Sequence, residues 1–314
     1  MKNILITGGT GYVGTLLTET LLKEGHKITV VDTMWFGNYL EEHKNLTLIK
    51  TDILDIDSIP MEGIDTIFHL ANIANDPTGD LNSKLTWEVN VLASKLLVEK
   101  AIKSGVKQFI YASSGSVYGV KEEDQVTEDL DLIPISDYNK TKMISERVFL
   151  SYKDQINTVI IRPATVCGYS KRMRLDVSVN MLTMQALTNK RITVFGGNQT
   201  RPNIHIQDMV GVYLHFLENP NLTGIYNAGF ENISILDIAQ RVTKDIEAEI
   251  IITPSNDPRS YRLNSDKLLQ TGFTPKYGVD FAIKEIIEKF NRGVLKDEDR
   301  YYNLKVMNKL GIGA

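Results

Sequence analysis

Thr7-Gly8-Gly9-Thr10-Gly11-Tyr12-Val13-Gly14 links a short apolar run to a predicted helix over residues 12–23. This order of strand, glycine-rich turn and helix is typical of a loop that binds a dinucleotide. We predict that Gly8 forms the tight turn and that Gly11 lets the backbone approach a pyrophosphate. Gly14 then allows the helix to pack closely on the strand. The helix N-terminus adds free N–H groups and the positive end of its dipole, both of which favour phosphate.

Apolar, β-branched runs alternate with longer helical patterns through the first half of the chain. This alternation predicts an α/β fold with a doubly wound parallel sheet, the Rossmann fold. After residue 163 the alternation fades, which indicates a smaller C-terminal α/β lobe that binds substrate. We therefore expect a dinucleotide-binding domain over residues 1–165, with a returning segment near 202–228, and a second lobe over 166–314. The predicted strands are 3–7, 27–31, 46–51, 66–70, 108–112 and 158–161, and the later helices are 81–104, 138–152, 177–189, 208–218, 235–246 and 281–293.

Composition narrows the possible functions. The 314 residues carry a formal charge of −4, so no global basic field exists to hold nucleic acid or an anionic membrane surface. A single cysteine cannot form an internal disulfide, and five histidines lack the spacing of metal ligands. No apolar run is long enough to span a membrane, and no secretory signal is seen. We expect a protein of the cytoplasm without a metal site.

Two aspartates follow predicted strands at the same end of the sheet. Asp32 ends the second strand, where a carboxylate accepts both hydroxyls of an adenosine ribose and repels a 2′-phosphate. No arginine or lysine follows directly to favour that phosphate, so NAD is the predicted cofactor rather than NADP. Asp52, with Ile53, follows the third strand and is predicted to reach the adenine.

A tyrosine and a lysine lie four residues apart at the start of the helix over 138–152. This spacing places the Tyr138 phenol and the Lys142 ammonium on one helix face. A cation beside a phenol lowers the pKa of the phenol, and a phenolate can remove the proton of a carbinol while hydride leaves the same carbon. Tyr301 and Lys305 have the same spacing in the polar tail, and we assign them to surface structure.

With the serine-rich end of the fifth strand, these elements resemble the extended short-chain dehydrogenase/reductase family, the NAD-dependent nucleotide-sugar epimerases and dehydratases. The matching elements keep the family's order over almost the whole chain, and jointly they are highly specific. They are Gly8, Gly11, Gly14, Asp32, Asp52, His69-Leu70-Ala71, Asn90, Ser113-Ser114 with Val117-Tyr118-Gly119, Tyr138, Lys142, Arg162-Pro163 and the run from Arg201 to Asp208.

The resemblance implies a role for each matched residue. Tyr138 is the implied base, Lys142 activates it and anchors the ribose, and Ser114 bonds to the reacting oxygen. The family arginine before Asp257 is absent, and we expect Arg259 to take its role. The implied cofactor-binding residues are Gly8, Gly11, Tyr12, Val13, Gly14, Asp32, Asp52, Ile53, Leu70, Ala71, Asn72, Asn90, Ala112, Ser113, Tyr138, Lys142, Pro163 and Val166. The implied substrate-binding residues are Asn75, Ser114, Gly115, Ser116, Tyr138, Arg174, Asn180, Arg201 and Arg259.

Several reactions in this family begin with oxidation of a sugar carbinol, usually at C4. The family's dehydratases have an Asp-Glu pair where this chain has Gly115-Ser116, which disfavours dehydration. We therefore predict a 4-epimerase of a nucleoside-diphosphate sugar. A C4 dehydrogenase or 4-ketoreductase stays open, because the stretch 164–176 looks like a branch acting on modified hexoses and heptoses. A non-catalytic NAD-binding regulator is disfavoured, since the catalytic residues are present; the sugar and the nucleotide base are left open.

The resemblance extends to assembly. Helices near 81–104 and 138–152 are expected to pair across a two-fold axis as a four-helix bundle, which makes a homodimer.

Overall fold

The central sheet contains seven parallel strands in the order β10-β6-β5-β4-β1-β2-β3. The protein is described by a computed structural model that covers residues 1–255 and 260–312. The sequence order of the strands reverses between β1 and β4, as in Rossmann folds, and the predicted fold class is confirmed. The strands are β1 (Asn3–Thr7), β2 (Lys27–Asp32), β3 (Leu46–Lys50), β4 (Thr66–His69), β5 (Gln108–Ala112), β6 (Asn157–Pro163), β7 (Thr165–Cys167), β8 (Arg191–Phe195), β9 (Thr200–His205), β10 (Gly224–Ala228), β11 (Glu231–Ser234) and β12 (Glu249–Thr253).

Helices cover both faces of this sheet. Ile4 and Ile6 of β1 face the side covered by α1 and α7 (Tyr12–Lys23 and Ile206–Glu218), and Leu5 faces the other side. All three side chains are fully buried, as expected for a parallel sheet. The remaining helices are α2 (Asp76–Gly79), α3 (Ser83–Trp87), α4 (Ser94–Lys103), α5 (Asp137–Ser151), α6 (Ser178–Asn189), α8 (Ile235–Asp245), α9 (Asp266–Leu269), α10 (Val279–Asn291) and α11 (Asn303–Lys309).

The second lobe has its own core. A three-stranded sheet in the order β11-β9-β7 and the parallel pair β12-β8 pack with α6, α8 and α10 around a separate apolar cluster. Between these elements the chain returns to the first sheet, where α7 packs on α1 and β10 pairs with β6. Within the described ranges, no helix combines the length and the apolar character that a membrane span requires.

Three segments differ from the sequence-based prediction. The helix expected over 81–104 consists of α3, a wide π-helical turn (Glu88–Ala93) and α4. Residues 120–129, expected to be a solvated loop, are anchored because buried Val126 exchanges backbone hydrogen bonds with Arg262 and Asn264. In the tail, Tyr301 is only 5% exposed and packs in an apolar cluster, so its assignment to the surface is wrong.

Candidate active site

A cleft of about 820 Å³ opens at the carboxyl ends of the central strands, where the strand order reverses. Gly8 after β1, Leu70 after β4 and Ser113 after β5 contribute to one wall. Arg174 and Arg201 of the second lobe also line this cleft. The fold therefore brings the glycine loop, the serine segment and the second-lobe arginines into one cavity.

The glycine loop is shaped to receive a ligand backbone closely. Gly8 has a φ of +77°, and a Cβ atom there would lie 2.6 Å from the backbone nitrogen of Ala71. A Cβ on Gly14 would lie only 2.2 Å from the carbonyl oxygen of Gly8. A side chain at either position would fill the cradle or push its backbone segments apart. Helix α1 begins at Tyr12, directly after Gly11. This cradle at a helix N-terminus fits the pyrophosphate of a dinucleotide.

Asp32 lies at the end of β2 and lines the cleft beside the glycine loop. One carboxylate oxygen accepts a hydrogen bond from the Thr10 backbone N–H at 3.0 Å, and the other accepts one from the Met34 N–H at 2.7 Å. Each oxygen keeps a further lone pair for a ribose hydroxyl. Asp52 also lines the cleft, and its carboxylate accepts a hydrogen bond from the Leu54 N–H at 2.9 Å.

The predicted catalytic side chains meet at the start of α5. Ser136 caps this helix by accepting a hydrogen bond from the Asn139 N–H at 3.2 Å, which fixes the first turn carrying Tyr138. Ser114 lies just beyond β5 and hydrogen-bonds to the Tyr138 phenol. Its hydroxyl also lies 2.7 Å from the hydroxyl of Ser116. A proton acceptor and a hydrogen-bonding hydroxyl thus share one wall of the cleft.

Burial favours the protonated form of the Tyr138 phenol. Burial raises the pKa of Tyr138 to about 12, although the hydrogen bond from Ser114 and the positive charge of Arg174 lower it. The expected effect of Lys142 is not seen: its ammonium lies 6.0 Å from the Tyr138 ring centroid and donates to the carbonyl of Ala112. Burial also lowers the pKa of Lys142 to about 7, so its charge is costly there.

Because burial lowers the pKa of Lys142, we predict that the free energy of unfolding depends on pH. Between its folded pKa of about 7 and its ordinary value of 10.5, the unfolded chain binds more protons, so the free energy of unfolding rises with pH. Lys142→Met should remove this rise and make the cofactor-free protein more stable at pH 6, by about 2–4 kcal/mol. Urea unfolding at pH 6, 8 and 10 measures the effect. Lys140→Met, a change at an exposed neighbour, is the control, and parallel pH profiles for Lys142→Met and the unmodified protein would contradict the expectation.

Two arginines of the second lobe carry positive charge into the cleft. Arg174 is held by an ion pair of 2.8 Å between its Nε and the carboxylate of Asp176. Arg201 projects from β9, and its guanidinium donates a hydrogen bond to the Thr200 carbonyl at 3.3 Å. A guanidinium fork matches the oxygens of a diphosphate, so these residues suit the phosphates of a nucleotide.

Most of the residues that the resemblance implies line this cleft, but three lie behind its wall. Asn90 is buried and bonds to both backbone groups of Ile73. Asn180 is buried and bonds to the Tyr12 hydroxyl and the Gly168 N–H. Gly115 is buried, and a Cβ there would lie 3.1 Å from the Pro163 carbonyl. Arg259 and Asp257 lie outside the described residues.

Other residues line the cleft without having been singled out by sequence reasoning. Trp35 and Phe36 follow β2, Arg172 comes from the second lobe, and the segment 302–305 comes from the tail. An aromatic pair directly after Asp32 was a usable signal for the first two. Lys305 was noted in the sequence but assigned to surface structure, and nothing in the local pattern pointed to residues 302–304, because only the path of the folded chain brings this segment to the cleft.

The comparisons with known proteins agree with this geometry. A model of the NAD-dependent epimerase/dehydratase family matches residues 4–229. An uncharacterised protein of Sinorhizobium fredii is 34% identical over 253 residues, which are 79% of this chain and 61% of that protein's length. An uncharacterised UDP-glucose epimerase of Bacillus subtilis is 34% identical over 257 residues, which are 76% of this chain and 80% of that protein.

A solved structure shares the fold over nearly the whole chain. UDP-glucose 4-epimerase of Thermotoga maritima, crystallised with UDP-glucose, gives a TM-score of 0.84 at 25% identity. The match covers 93% of this chain and 100% of that one. The resemblance seen in the sequence is confirmed, and this chain belongs to the NAD-dependent epimerase/dehydratase family.

Proposed function

We propose that this protein is an NAD-dependent epimerase that inverts C4 of a UDP-linked hexose through a transient 4-keto sugar. The observation that carries the proposal is the common cleft. It holds a dinucleotide cradle with Asp32 at one end and Tyr138 with Ser114 at the other. The similarity to UDP-glucose epimerases supports the choice of reaction and of uridine.

The residues of the chain perform the proton chemistry. In its deprotonated form, Tyr138 takes the proton of the C4 hydroxyl as the C–H bond at C4 breaks. Ser114 hydrogen-bonds to the same oxygen while it becomes a carbonyl. The glycine cradle and Asp32 would hold NAD, which would supply a hydride acceptor for C4 and a hydride donor to the opposite face of the keto sugar. Tyr138 then gives its proton back to the oxygen, so one turnover leaves protons and electrons balanced.

The serine segment favours epimerisation over elimination of water. Elimination needs an acid and a base beside the sugar, and the residues after Ser114 are Gly115 and Ser116. The Ser116 hydroxyl donates to the amide oxygen of Asn139 and carries no charge. We propose that Arg201 and Arg174 hold the diphosphate, so that only rotation of the keto sugar is needed for inversion.

Incubation with UDP-glucose, UDP-N-acetylglucosamine and UDP-glucuronic acid, followed by proton NMR, tests the proposal. We expect one of them to be converted to its C4 epimer without added NADH. A 4-keto product that accumulates with stoichiometric NADH would instead identify a C4 dehydrogenase, the alternative reaction.

We further propose a homodimer formed by the helices over 83–103 and 137–151. Leu92 and Trp87 on the first of these are 48% and 36% exposed, and a partner helix packed on this face would bury both side chains. Light scattering should give the mass of two chains, and Leu92→Glu should shift it toward one. A single-chain mass for the unmodified protein at micromolar concentration would refute the dimer.

We also keep the cytoplasm as the proposed compartment. The lone Cys167 is buried, and burial raises the pKa of its thiol well above the usual range, which suits a reducing environment without requiring one. Cell fractionation tests this proposal.

A further inference from the structure

Arg172 is a buried cation in the wall of the cleft. Its side chain is 2% exposed, and it lines the cavity together with Asp32 and Phe36. Within residues 1–255 and 260–312, no carboxylate lies within 4 Å of its guanidinium nitrogens. A buried charge without a paired opposite charge is costly, and an anionic ligand beside it would offset that cost.

The contacts of Arg172 hold the guanidinium in place without neutralising it. Nη2 donates to the side-chain oxygen of Asn303 at 2.5 Å, and Nη1 donates to the Met173 carbonyl at 3.2 Å. The guanidinium carbon lies 4.3 Å from the centroid of the Phe36 ring. Nε has no hydrogen-bond partner within the described part of the chain. These partners are neutral, so the full positive charge remains beside the cleft.

Burial and a neighbouring positive charge make the charged form of Arg172 less favourable. Burial and the nearby Arg174 lower the pKa of Arg172 to about 10, and the attraction of Asp176 and Asp32 is too weak to reverse that shift. Asp176 is itself paired with Arg174. An anionic ligand beside Arg172 would therefore remove an existing cost.

The position of Arg172 in the cleft indicates which anionic group it could bind. Asp32 and Phe36 lie at the end of the cleft where the adenosine of NAD is expected, on the side of the glycine cradle. The anionic part of NAD is its pyrophosphate. The diphosphate of the sugar nucleotide is assigned to Arg201 and Arg174 above. We propose that Arg172, which comes from the second lobe, binds the pyrophosphate of NAD together with the glycine loop.

Asn303 is the positioning residue of this arrangement. Its side-chain oxygen accepts from Arg172, while its backbone N–H donates to the Asp176 carboxylate at 3.0 Å. The tail segment 302–305 is thereby joined to the loop that carries Arg172, across 131 residues of sequence. Asn303→Ala should weaken NAD binding less than loss of Arg172 does, because the charge remains but is no longer held in place.

This inference rests on the proposed NAD site, and the experiment separates the two. Protein stripped of cofactor is titrated with NAD and with UDP by calorimetry, and its thermal unfolding is recorded. In Arg172→Met the Kd for NAD should rise about 10- to 100-fold, as expected when a charged hydrogen-bonding partner of phosphate is lost. The Kd for UDP should stay within about twofold. Arg172→Lys, which keeps the charge, should recover part of the NAD affinity, and the unfolding temperature of stripped Arg172→Met should be unchanged or higher.

Lys171→Met is the matched control, because Lys171 is the adjacent cation and pairs on the surface with Glu19 and Glu41 at 2.8 and 2.7 Å. Its NAD affinity should be unchanged. If the unmodified protein fails to bind NAD, the cofactor site itself is wrong. An unchanged Kd for NAD in Arg172→Met overturns the inference alone. Weakened binding of UDP, or a lower unfolding temperature of the stripped protein with no specific loss of NAD, overturns it as well, since Arg172 then serves the substrate or the fold.

Discussion

Tyr138→Phe should lower turnover by about 10²- to 10⁴-fold, because it removes the group that takes the proton of the sugar hydroxyl. Only the hydroxyl group is removed, and the ring that lines the cleft is kept. NAD affinity should therefore stay within a few-fold of the unmodified protein. Since burial raises the pKa of Tyr138 to about 12, turnover of the unmodified protein should increase with pH, and the residual activity of the variant should lose that increase.

Tyr152→Phe serves as the control for this variant. Tyr152 follows the C-terminal end of the same helix, and its hydroxyl donates to the Glu99 carboxylate at 2.6 Å, far from the cleft lining. Steady-state kinetics with the accepted UDP-sugar should show no change for this control. A turnover of Tyr138→Phe within tenfold of the unmodified protein would remove Tyr138 from the mechanism.

Gly14→Ala should abolish most of the NAD binding. The added Cβ would lie 2.2 Å from the carbonyl oxygen of Gly8, a backbone atom that cannot move without opening the phosphate cradle. We expect the Kd for NAD to rise at least 100-fold and the free energy of unfolding to fall by about 1–3 kcal/mol. Calorimetric titration of the folded, stripped variant measures the Kd for NAD, and urea unfolding measures the free energy of unfolding.

Gly211→Ala is the comparison for that change. Gly211 lies within helix α7, and a Cβ there would meet the Phe273 ring at an ordinary 3.4 Å. Alanine in a helix interior usually adds about 0.5–1 kcal/mol of stability, so this variant should be at least as stable and bind NAD normally. Normal NAD binding by Gly14→Ala would show that the glycine loop is not the phosphate site.

The local pattern of the sequence was enough to predict six of the seven strands of the central sheet; β10 was not predicted as a strand. Five of the six strands predicted up to residue 161 match observed strands to within one residue at each end, and the sixth, over 158–161, extends to Pro163. Each is an apolar run whose character does not depend on distant residues. The glycine loop was predictable for the same reason, because strand, turn and helix are adjacent in the chain.

Features that depend on contacts between distant segments were not predictable. The tail helix α11 is short, and it is placed by Met307 in the core of the first domain. Arg172 reaches the cofactor side of the cleft only because the fold brings its loop next to Asn303. The pKa of Tyr138 also depends on burial, which raises it and so outweighs the lowering that the Tyr-Lys spacing suggested.

The return of hydride to the molecule that gave it is the central claim, and deuterium at C4 of the substrate tests it most directly. The protein is incubated with UDP-hexoses deuterated at C4, and the product is analysed by NMR and mass spectrometry. If hydride returns to the same molecule, we expect a sugar that is inverted at C4 and still carries the deuterium, with no NADH released. Deuterium found in released NADH, together with a 4-keto sugar and no inverted product, would contradict it.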